Sequence, residues 1–143
     1  MDEALKQAKI AFDLDEVPVG AVLVDRKINQ IIAATHNQNI TLKDTTAHAE
    51  ILAIKHGSII RRNQRLDDCD LYITLEPCIM CAAAISFARI GRVYYGASEP
   101  KFGVVSLGNK IFSDGGYFRP EFYSGIGEGE SEKLLKEFFA KKR

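Results

Sequence analysis

Apolar and polar positions repeat with two different periods along the chain, and the longer period predicts helices. Residues 2–15 place their apolar side chains largely on one helical side, as an amphipathic helix does. Residues 47–56 are apolar on most sides, and Gly57 is predicted as the C-terminal cap of that helix. Residues 78–88 are small and apolar all round, which is typical of a helix buried between layers. Residues 131–140 predict a closing helix, whose inward side chains are Leu134, Leu135, Phe138 and Phe139.

Short apolar runs between these helices predict strands. Residues 19–24 and 28–35 flank a polar turn, so they are expected to form a hairpin. Residues 71–75 and 92–96 are two further short runs of strand-forming residues. Strands that alternate with buried helices indicate an α/β sandwich, and the hairpin makes its central sheet mixed. The glycine-rich stretch over residues 97–129 has no assignable pattern, and long loops of this kind are often functional.

Composition fits a single domain of an ordinary globular protein. The chain has 143 residues, of which 46% are hydrophobic and 27% are charged, so residues 1–143 can enclose one core. No apolar run approaches the roughly 20 residues that a membrane helix needs, and the charged start lacks a signal-peptide core. Three cysteines do not make a disulfide framework. We therefore expect a cytoplasmic, reduced protein without a membrane partner.

The balance of charge limits how the chain can meet a nucleic acid. Its formal net charge is zero, so such a partner would have to bind a local basic patch. Two short runs are candidates for such a basic patch. Residues 55–65 carry four basic side chains and no acidic one, and residues 141–143 are all basic. Solvated surface charge explains such short runs equally well.

Two short motifs carry the chemistry of the chain. His48 and Glu50 form a His-x-Glu motif, and Cys78 and Cys81 form a Cys-x-x-Cys motif that directly follows Pro77. Cys-x-x-Cys alone is a weak signal, because it serves redox chemistry as well as metal binding. With a histidine thirty residues upstream it becomes a zinc site, and the full combination is the signature of zinc-dependent nucleobase deaminases.

Three protein ligands, His48, Cys78 and Cys81, predict a catalytic rather than a structural zinc site. A structural site is closed by four ligands, whereas a catalytic site keeps one position open for water. Cys69 is excluded as a fourth ligand, because the strand expected between it and Cys78 spans about 20 Å. We therefore expect one Zn²⁺ per subunit and no redox or organic cofactor.

Both motifs fall at predicted helix starts, where free amide groups favour negative charge. This placement is expected to lower the pKa of Cys78 and of Cys81 and to favour their thiolates. His48 and Glu50 are two residues apart and would diverge on a regular helix, so the motif must occupy an irregular helix start. Its candidate caps are Thr45 and Thr46.

The expected reaction is a hydrolytic deamination. Zinc lowers the pKa of its water and supplies hydroxide, which attacks the carbon that carries an exocyclic amine. Glu50 takes the water proton, protonates the neighbouring ring nitrogen and helps ammonia leave. The alternative for Glu50 is an exposed carboxylate that the helix dipole stabilises.

Five blocks of sequence resemble the bacterial tRNA-specific adenosine deaminases, and together they extend over nearly the whole chain. They are residues 16–24, 46–50, 72–81, 86–96 and 138–139. The resemblance implies a cytidine-deaminase-like fold, which is a three-layer sandwich around a mixed five-stranded sheet, and a homodimer. It further implies that adenosine becomes inosine at the wobble position of a tRNA anticodon, usually that of an arginine tRNA.

The same resemblance implies the residues that bind the substrate. Asn37 matches a residue that hydrogen-bonds the flipped base, although a lone asparagine after a strand is usually a turn residue. Phe139 matches an aromatic that helps to hold the anticodon loop, and its alternative is the core of the closing helix. Lys101 lies in a loop that borders the RNA in relatives, and Ala49 is also expected at the substrate. At the position of Glu99 the family commonly has Asp, which lies near a sugar hydroxyl of the substrate. The longer Glu99 side chain keeps a carboxylate acceptor there but places it differently.

Two other readings use the same residues. The first is a zinc deaminase of free guanine, free cytosine or a nucleotide, for which a closed lid would be expected in place of a basic rim. The second is a non-catalytic RNA-binding or zinc-stabilised scaffold subunit. A scaffold would be expected to lack the shuttle carboxylate, and the chain has Glu50.

Overall fold

A mixed five-stranded sheet forms the centre of the molecule. The computed structural model describes residues 1–108, 110–113 and 116–143. The spatial order of the strands is β2-β1-β3-β4-β5. β1 pairs antiparallel with both β2 and β3, whereas β3 pairs parallel with β4, and β4 with β5. The strands are β1 (Gly20–Asp25), β2 (Gln30–His36), β3 (Cys69–Leu75), β4 (Arg92–Ala97) and β5 (Glu121–Tyr123).

Helices cover both faces of this sheet. α1 and α5 contact each other on one face, and α3 and α4 contact each other on the opposite face. The short helix α2 lies in the loop between β2 and α3. The helices are α1 (Asp2–Asp13), α2 (Asn39–Leu42), α3 (Ala49–Arg61), α4 (Ile79–Phe87) and α5 (Glu128–Lys141). The predicted three-layer α/β sandwich with a mixed five-stranded sheet is therefore confirmed.

The main hydrophobic core lies between the sheet and the layer that contains α3. Inward side chains of three strands are fully buried there, against alanines of α3 and an isoleucine of α4. Burying each leucine or isoleucine stabilises the fold by about 1.5–3 kcal/mol. These strand side chains are Leu23, Leu71, Ile73 and Val93.

The predicted hairpin is present, with a longer turn than the sequence indicates. The turn covers residues 26–29 and ends at Asn29, whose φ of 51° lies in the left-handed region. Ile28, expected to start the second strand, is exposed in this turn. The apolar Ile28 in the turn makes the second strand look longer in the sequence than it is, so β2 begins at Gln30 and not at Ile28.

Gly57 does not cap α3, so that prediction is wrong. The helix continues to Arg61, and Arg62 adopts the left-handed cap conformation with φ 51° and ψ 38°. A Cβ atom on Gly57 would lie 2.3 Å from Leu23 Cδ2. The glycine therefore allows a close approach of α3 to β1.

The terminal helices use their apolar residues differently from the amphipathic pattern. α1 buries its small side chains, Ala4, Ala8 and Ala11, whereas Ile10 is exposed. Small side chains let the helix axis lie close to the sheet, and larger ones do not fit there. In the closing helix, Phe138 is 4% exposed, while Phe139 is 48% exposed. The prediction that Phe139 faces inward is therefore wrong.

The stretch over residues 97–129 contributes the edge strand β5 and a short 3₁₀ turn over Lys110–Phe112. Three residues make a strand too short for a periodic pattern, which is why the sequence did not reveal it. Within the parts of the chain that the structure describes, no helix is long and apolar enough to cross a membrane.

Replacing Gly57 by alanine is expected to lower the free energy of unfolding by about 1–2 kcal/mol. Because a Cβ would lie only 2.3 Å from the buried Leu23, overpacking should cost about 2–3 kcal/mol, and the better helix propensity of alanine returns about 1 kcal/mol. Gly129→Ala in α5 is the matched control, because a Cβ there meets nothing within 4 Å. Urea unfolding should show the control to be neutral or more stable. A Gly57→Ala protein as stable as the unsubstituted chain would contradict the packing argument.

Candidate metal centre and active-site pocket

The His-x-Glu motif lies at the start of α3, as expected. His48 is the N-cap residue with extended backbone (φ −71°, ψ 151°), and Glu50 is in the first helical turn. This change of backbone conformation lets the two side chains converge although they are only two residues apart. The cap differs from the prediction: Thr45 and Thr46 do not cap α3, and the Ala49 amide donates a 2.8 Å hydrogen bond to Asn37 Oδ1. A side chain distant in sequence therefore caps this helix.

The second motif begins α4 in the same way. Cys78 is its N-cap residue with extended backbone, and Cys81 follows within the first turn. His48 Nδ1 lies 3.8 Å from Cys78 Sγ and 3.4 Å from Cys81 Sγ. The three ligand atoms all lie within 4.8 Å of one another. The predicted ligands are thus brought together at two neighbouring helix N-termini.

This arrangement fits a zinc ion. Tetrahedral coordination with Zn–S bonds of about 2.3 Å and Zn–N bonds of about 2.0 Å separates nitrogen from sulfur by roughly 3.5 Å. The two distances from His48 bracket that value. His48, Cys78 and Cys81 are positioned as zinc ligands and, as three, leave one coordination position for water.

The two thiols share one proton between them. A hydrogen bond from Cys81 holds the pKa of Cys78 down at about 4, and the contact with His48 acts in the same direction. The same hydrogen bond and burial raise the pKa of Cys81, so the expectation that both values fall is wrong for Cys81. Two neighbouring thiolates repel each other, so both ionise only with positive charge between them. A Zn²⁺ ion supplies that charge.

Cys69 lies apart from this cluster, at the start of β3 and fully buried. Burial raises the pKa of its thiol to about 11, and its sulfur lies 3.8 Å from a guanidinium nitrogen of Arg61. Its placement agrees with the expectation that it is a buried residue and not a ligand.

Glu50 is buried beside the metal ligands. The residue is only 4% exposed, and burial raises the pKa of its carboxyl group to about 7. The alternative of an exposed helix-start carboxylate is therefore wrong. A carboxyl group that titrates near neutral pH can both accept and donate a proton under physiological conditions.

The metal ligands open into a cavity of about 320 Å³. Its size lies at the lower end of the range for small-ligand pockets. Val17, Val19, Leu75 and Phe102 supply apolar walls, and polar groups, among them Asn37, Glu50 and Glu99, face the same space. Apolar walls with a few converging polar groups suit a flat, polar-edged ring.

The residues expected at the substrate divide between this pocket and a groove beside it. Asn37 and Glu99 line the pocket. Ala49 is fully buried, and its amide is used by Asn37. Lys101 and Phe139 line the groove, which adjoins the pocket through Glu99 and Phe102. The groove also contains basic residues of the chain end, Lys136, Lys142 and Arg143.

Sequence analysis missed two buried glutamates that line the pocket. Glu16 is 1% exposed and accepts hydrogen bonds from the amides of Ile40 (3.2 Å) and Thr41 (2.7 Å). Glu76 is 2% exposed and binds the loop that carries Glu99. Both stand beside apolar residues and prolines, and a charged residue enclosed by buried neighbours was the available signal.

The basic run over residues 55–65 does not form a free patch. Arg61 binds Asp25 at 2.6 Å, and Arg65 binds Asp67 at 2.7 Å. These contacts neutralise half of the four cations of the run. The groove at the chain end adjoins the pocket and contains Lys101 and Arg143 together with Lys142, which pairs with Asp15 at 2.6 Å.

Comparison with known proteins agrees with this geometry. Residues 1–97 match the family described as the cytidine and deoxycytidylate deaminase zinc-binding region. The chain is 48% identical over 144 residues to a tRNA-specific adenosine deaminase of Rickettsia felis, with 100% of each chain covered. A solved structure from studies of A-to-I editing by tRNA:A34 deaminases at the wobble position of transfer RNA has a TM-score of 0.89 and 49% identity, covering 94% of this chain and 97% of that one.

A solved guanine deaminase from Bacillus subtilis is less similar. Its TM-score is 0.65 at 31% identity, over 99% of this chain and 94% of that one. The zinc ligands are therefore set in a framework nearer to the tRNA-specific enzymes than to this free-base enzyme. The chain belongs to the zinc-dependent cytidine and deoxycytidylate deaminase family and, within it, to the tRNA-specific adenosine deaminases.

Proposed function

We propose that residues 1–143 form one deaminase domain that hydrolyses adenosine to inosine at the wobble position of a tRNA anticodon and releases ammonia. The observation that carries this function is a pocket that Glu50 lines together with two of the three zinc ligands, His48 and Cys78, and that adjoins a basic, aromatic groove. The pocket supports base chemistry, and the groove supports a polynucleotide substrate. Similarity to the tRNA-specific relatives supports tRNA as that polynucleotide.

Proton transfer is the task of Glu50. When bound, zinc lowers the pKa of its water and so supplies a nucleophile near neutral pH. The Glu50 carboxylate accepts the proton that this water loses and passes it to the neighbouring ring nitrogen of the base. The same carboxylate then takes the remaining proton of the hydroxyl group now bound to the base carbon and delivers it to the exocyclic amine, which leaves as ammonia while the carbonyl of inosine forms. Burial keeps the carboxyl pKa at about 7, so both directions of transfer are accessible.

Asn37 is proposed to hold the base. Its Oδ1 is already engaged by the Ala49 amide, which fixes the side chain and directs Nδ2 away from that contact. Among the described residues none accepts a hydrogen bond from Nδ2. The Nδ2 group is therefore available to an acceptor on the base. Ala49 contributes indirectly, because its amide orients Asn37.

Glu99 is proposed to bind the sugar. Its Oε1 accepts a 2.9 Å hydrogen bond from the Lys101 amide, which holds the side chain in one position at the pocket mouth. The second carboxylate oxygen then remains for a ribose hydroxyl. The longer side chain relative to Asp is accommodated by this local turn.

The groove beside the pocket suits a single-stranded RNA loop. Phe139 is 48% exposed there, and bases stack readily on such a ring. Lys101 provides a positive charge for a phosphate and the chain end adds Arg143, whereas Lys142 pairs with Asp15 at 2.6 Å. Splayed loop bases are the usual targets of sequence-specific RNA recognition, because stacked bases in a duplex are inaccessible. A free-base deaminase has no need of this surface.

The arginine acceptor is the tRNA that we propose as substrate. This choice rests on the resemblance to bacterial relatives and is the part of the proposal most open to direct test. We place the reaction in the cytoplasm, where tRNA is used. All three cysteines are free thiols, which agrees with a reducing compartment.

We also propose that the protein is a homodimer. α4 was expected to be buried on all sides, yet it buries only one side. Ile79 is 52% exposed and Phe87 is 71% exposed, with Phe87 packed on Tyr117 at a ring distance of 5.5 Å. An apolar surface of this kind is typical of an interface between protein chains. A second copy would cover it.

The function is tested with an arginine tRNA anticodon stem-loop that carries adenosine at the wobble position, beside free adenosine, cytosine and guanine. We expect inosine and ammonia from the stem-loop alone. Glu50→Gln should lower kcat by at least about 100-fold, because it removes the proton shuttle, with zinc content unchanged. Cys81→Ser should lose zinc as well. Full activity in a zinc-loaded Glu50→Gln protein would overturn the role of Glu50, and turnover of a free base with inert RNA would overturn the substrate.

The groove is tested by Phe139→Ala and Lys101→Ala. Each is expected to raise KM for the stem-loop about tenfold, because a stacked base or a phosphate contact is lost. Lys27→Ala, in the β1–β2 turn where Lys27 pairs with Asp68, is the matched control. Steady-state kinetics at two salt concentrations would show a weaker salt dependence for Lys101→Ala. Unchanged KM in both groove variants would place the RNA elsewhere.

The dimer is tested by Phe87→Asp, which introduces a charge into the apolar surface. Sedimentation equilibrium should show the unsubstituted chain at twice the monomer mass and the variant shifted towards monomer. Ile28→Asp, in the exposed β1–β2 turn, is the control for a charge on an apolar surface residue. A monomeric unsubstituted chain at micromolar concentration would refute the proposal.

A further inference from the structure

Glu76 is a buried carboxylate that the proposed chemistry does not use. It directly follows β3 and is 2% exposed. Among the described residues it forms no ion pair with a basic side chain. A buried charge without a counterion is costly unless hydrogen bonds replace its water. The hydrogen-bond donors to the Glu76 carboxylate therefore indicate what this residue contributes to the structure.

All of these partners belong to one segment, residues 99–106. Glu76 Oε1 accepts hydrogen bonds from the amides of Val105 (2.8 Å) and Ser106 (2.6 Å). Glu76 Oε2 accepts from the Glu99 amide (2.9 Å) and from Ser106 Oγ (2.5 Å). The two contacts at each oxygen bind both ends of the segment to one carboxylate. Hydrogen bonds to a charged acceptor are about twice as strong as neutral ones.

The segment is shaped around this carboxylate. A Cβ atom on Gly103 would lie 2.4 Å from Glu76 Cδ and 2.4 Å from the Glu99 carbonyl oxygen. Gly103 also forms a β-bridge with Cys78, and the Val104 amide donates a 3.0 Å hydrogen bond to the Pro77 carbonyl. The segment thus folds back over residues 76–78, and the absence of a side chain at Gly103 leaves space for the carboxylate.

The same segment builds the outer wall of the pocket. It places Glu99 and Phe102 on the pocket and Lys101 on the groove. Phe102 is 68% exposed and so contributes little burial that could hold the wall in place. Both oxygens of Glu76 are occupied by donors, which leaves none for a proton transfer to substrate. Its contribution is to position the wall.

We propose that Glu76 is a positioning residue, which fixes residues 99–106 as the wall between the base pocket and the RNA groove and thereby sets the affinity for the RNA strand. The affinity part rests on the proposed function, whereas the anchoring of the segment does not. The proposal predicts that zinc binding and proton transfer by Glu50 persist when the carboxylate of Glu76 is removed.

The test is Glu76→Gln in the zinc-loaded protein. The amide group can replace only one acceptor oxygen, and its NH₂ group opposes the Glu99 or Val105 amide. Hydrogen exchange of the amides of Glu99, Val105 and Ser106 should become at least about tenfold faster. KM for the stem-loop should rise about tenfold, with kcat within about threefold and zinc content unchanged.

Two further variants keep the test interpretable. Gly103→Ala leaves the carboxylate in place but displaces the segment, so it should reproduce the faster exchange and the higher KM. Asp25→Asn is the matched control, because Asp25 is also a buried carboxylate, 4% exposed, and it binds Arg61. Asp25 pairs with Cys69 at the start of β3, whereas Glu76 follows the end of β3. It should lower global stability without selectively raising exchange in residues 99–106.

The outcomes separate this inference from the proposed function. Unchanged exchange in residues 99–106 of Glu76→Gln would overturn the anchor, and loss of zinc would show that Glu76 acts on the metal site instead. Faster exchange with unchanged KM would overturn the link to RNA affinity. If the unsubstituted protein does not act on the stem-loop, the proposed function and the affinity link both fail, and exchange alone decides the anchor.

Discussion

His48 and Cys78 are thirty positions apart in the chain, yet the site requires their ligand atoms to lie within 3.8 Å. Two helix N-termini meet this requirement, because the N-cap residue of each helix is extended and its side chain projects beyond the helix end. The sheet holds the two helices side by side on one face. Close packing such as that at Gly57, where α3 lies against β1, holds this helix on the sheet.

Burial of carboxylates follows from this arrangement. Glu50 lies in a pocket from which protein atoms exclude most water, and its pKa rises for that reason. Glu16 and Glu76 are equally buried but saturated with amide donors from two loops. Burial thus raises the pKa of Glu50, whereas Glu16 and Glu76 bind backbone amides of neighbouring segments. This difference in surroundings supports the proposed division between a proton shuttle and two positioning carboxylates.

Substrate choice depends on the surroundings of the metal more than on the metal. A guanine deaminase and a tRNA:A34 deaminase structure both resemble this chain in fold, so the fold alone does not distinguish a free base from RNA. In the proposed function the distinction lies in the groove at Phe139 and Lys101, which continues from the pocket mouth. The segment that contains Lys101 links the two, so the chemistry and the recognition surface share one wall.

The sequence by itself determined the ligand types, the open coordination position, the placement of both motifs at helix starts and the α/β layering. These features follow from the chemistry of single residues and from the spacing of apolar residues, both of which can be read from a few neighbouring positions. Only the tertiary structure decided that Asn37 caps α3, that Glu76 accepts hydrogen bonds from residues 99–106 and that Phe139 is exposed. The physical reason is that burial and hydrogen-bond partners depend on segments far apart in the chain, and no local pattern records which segments meet.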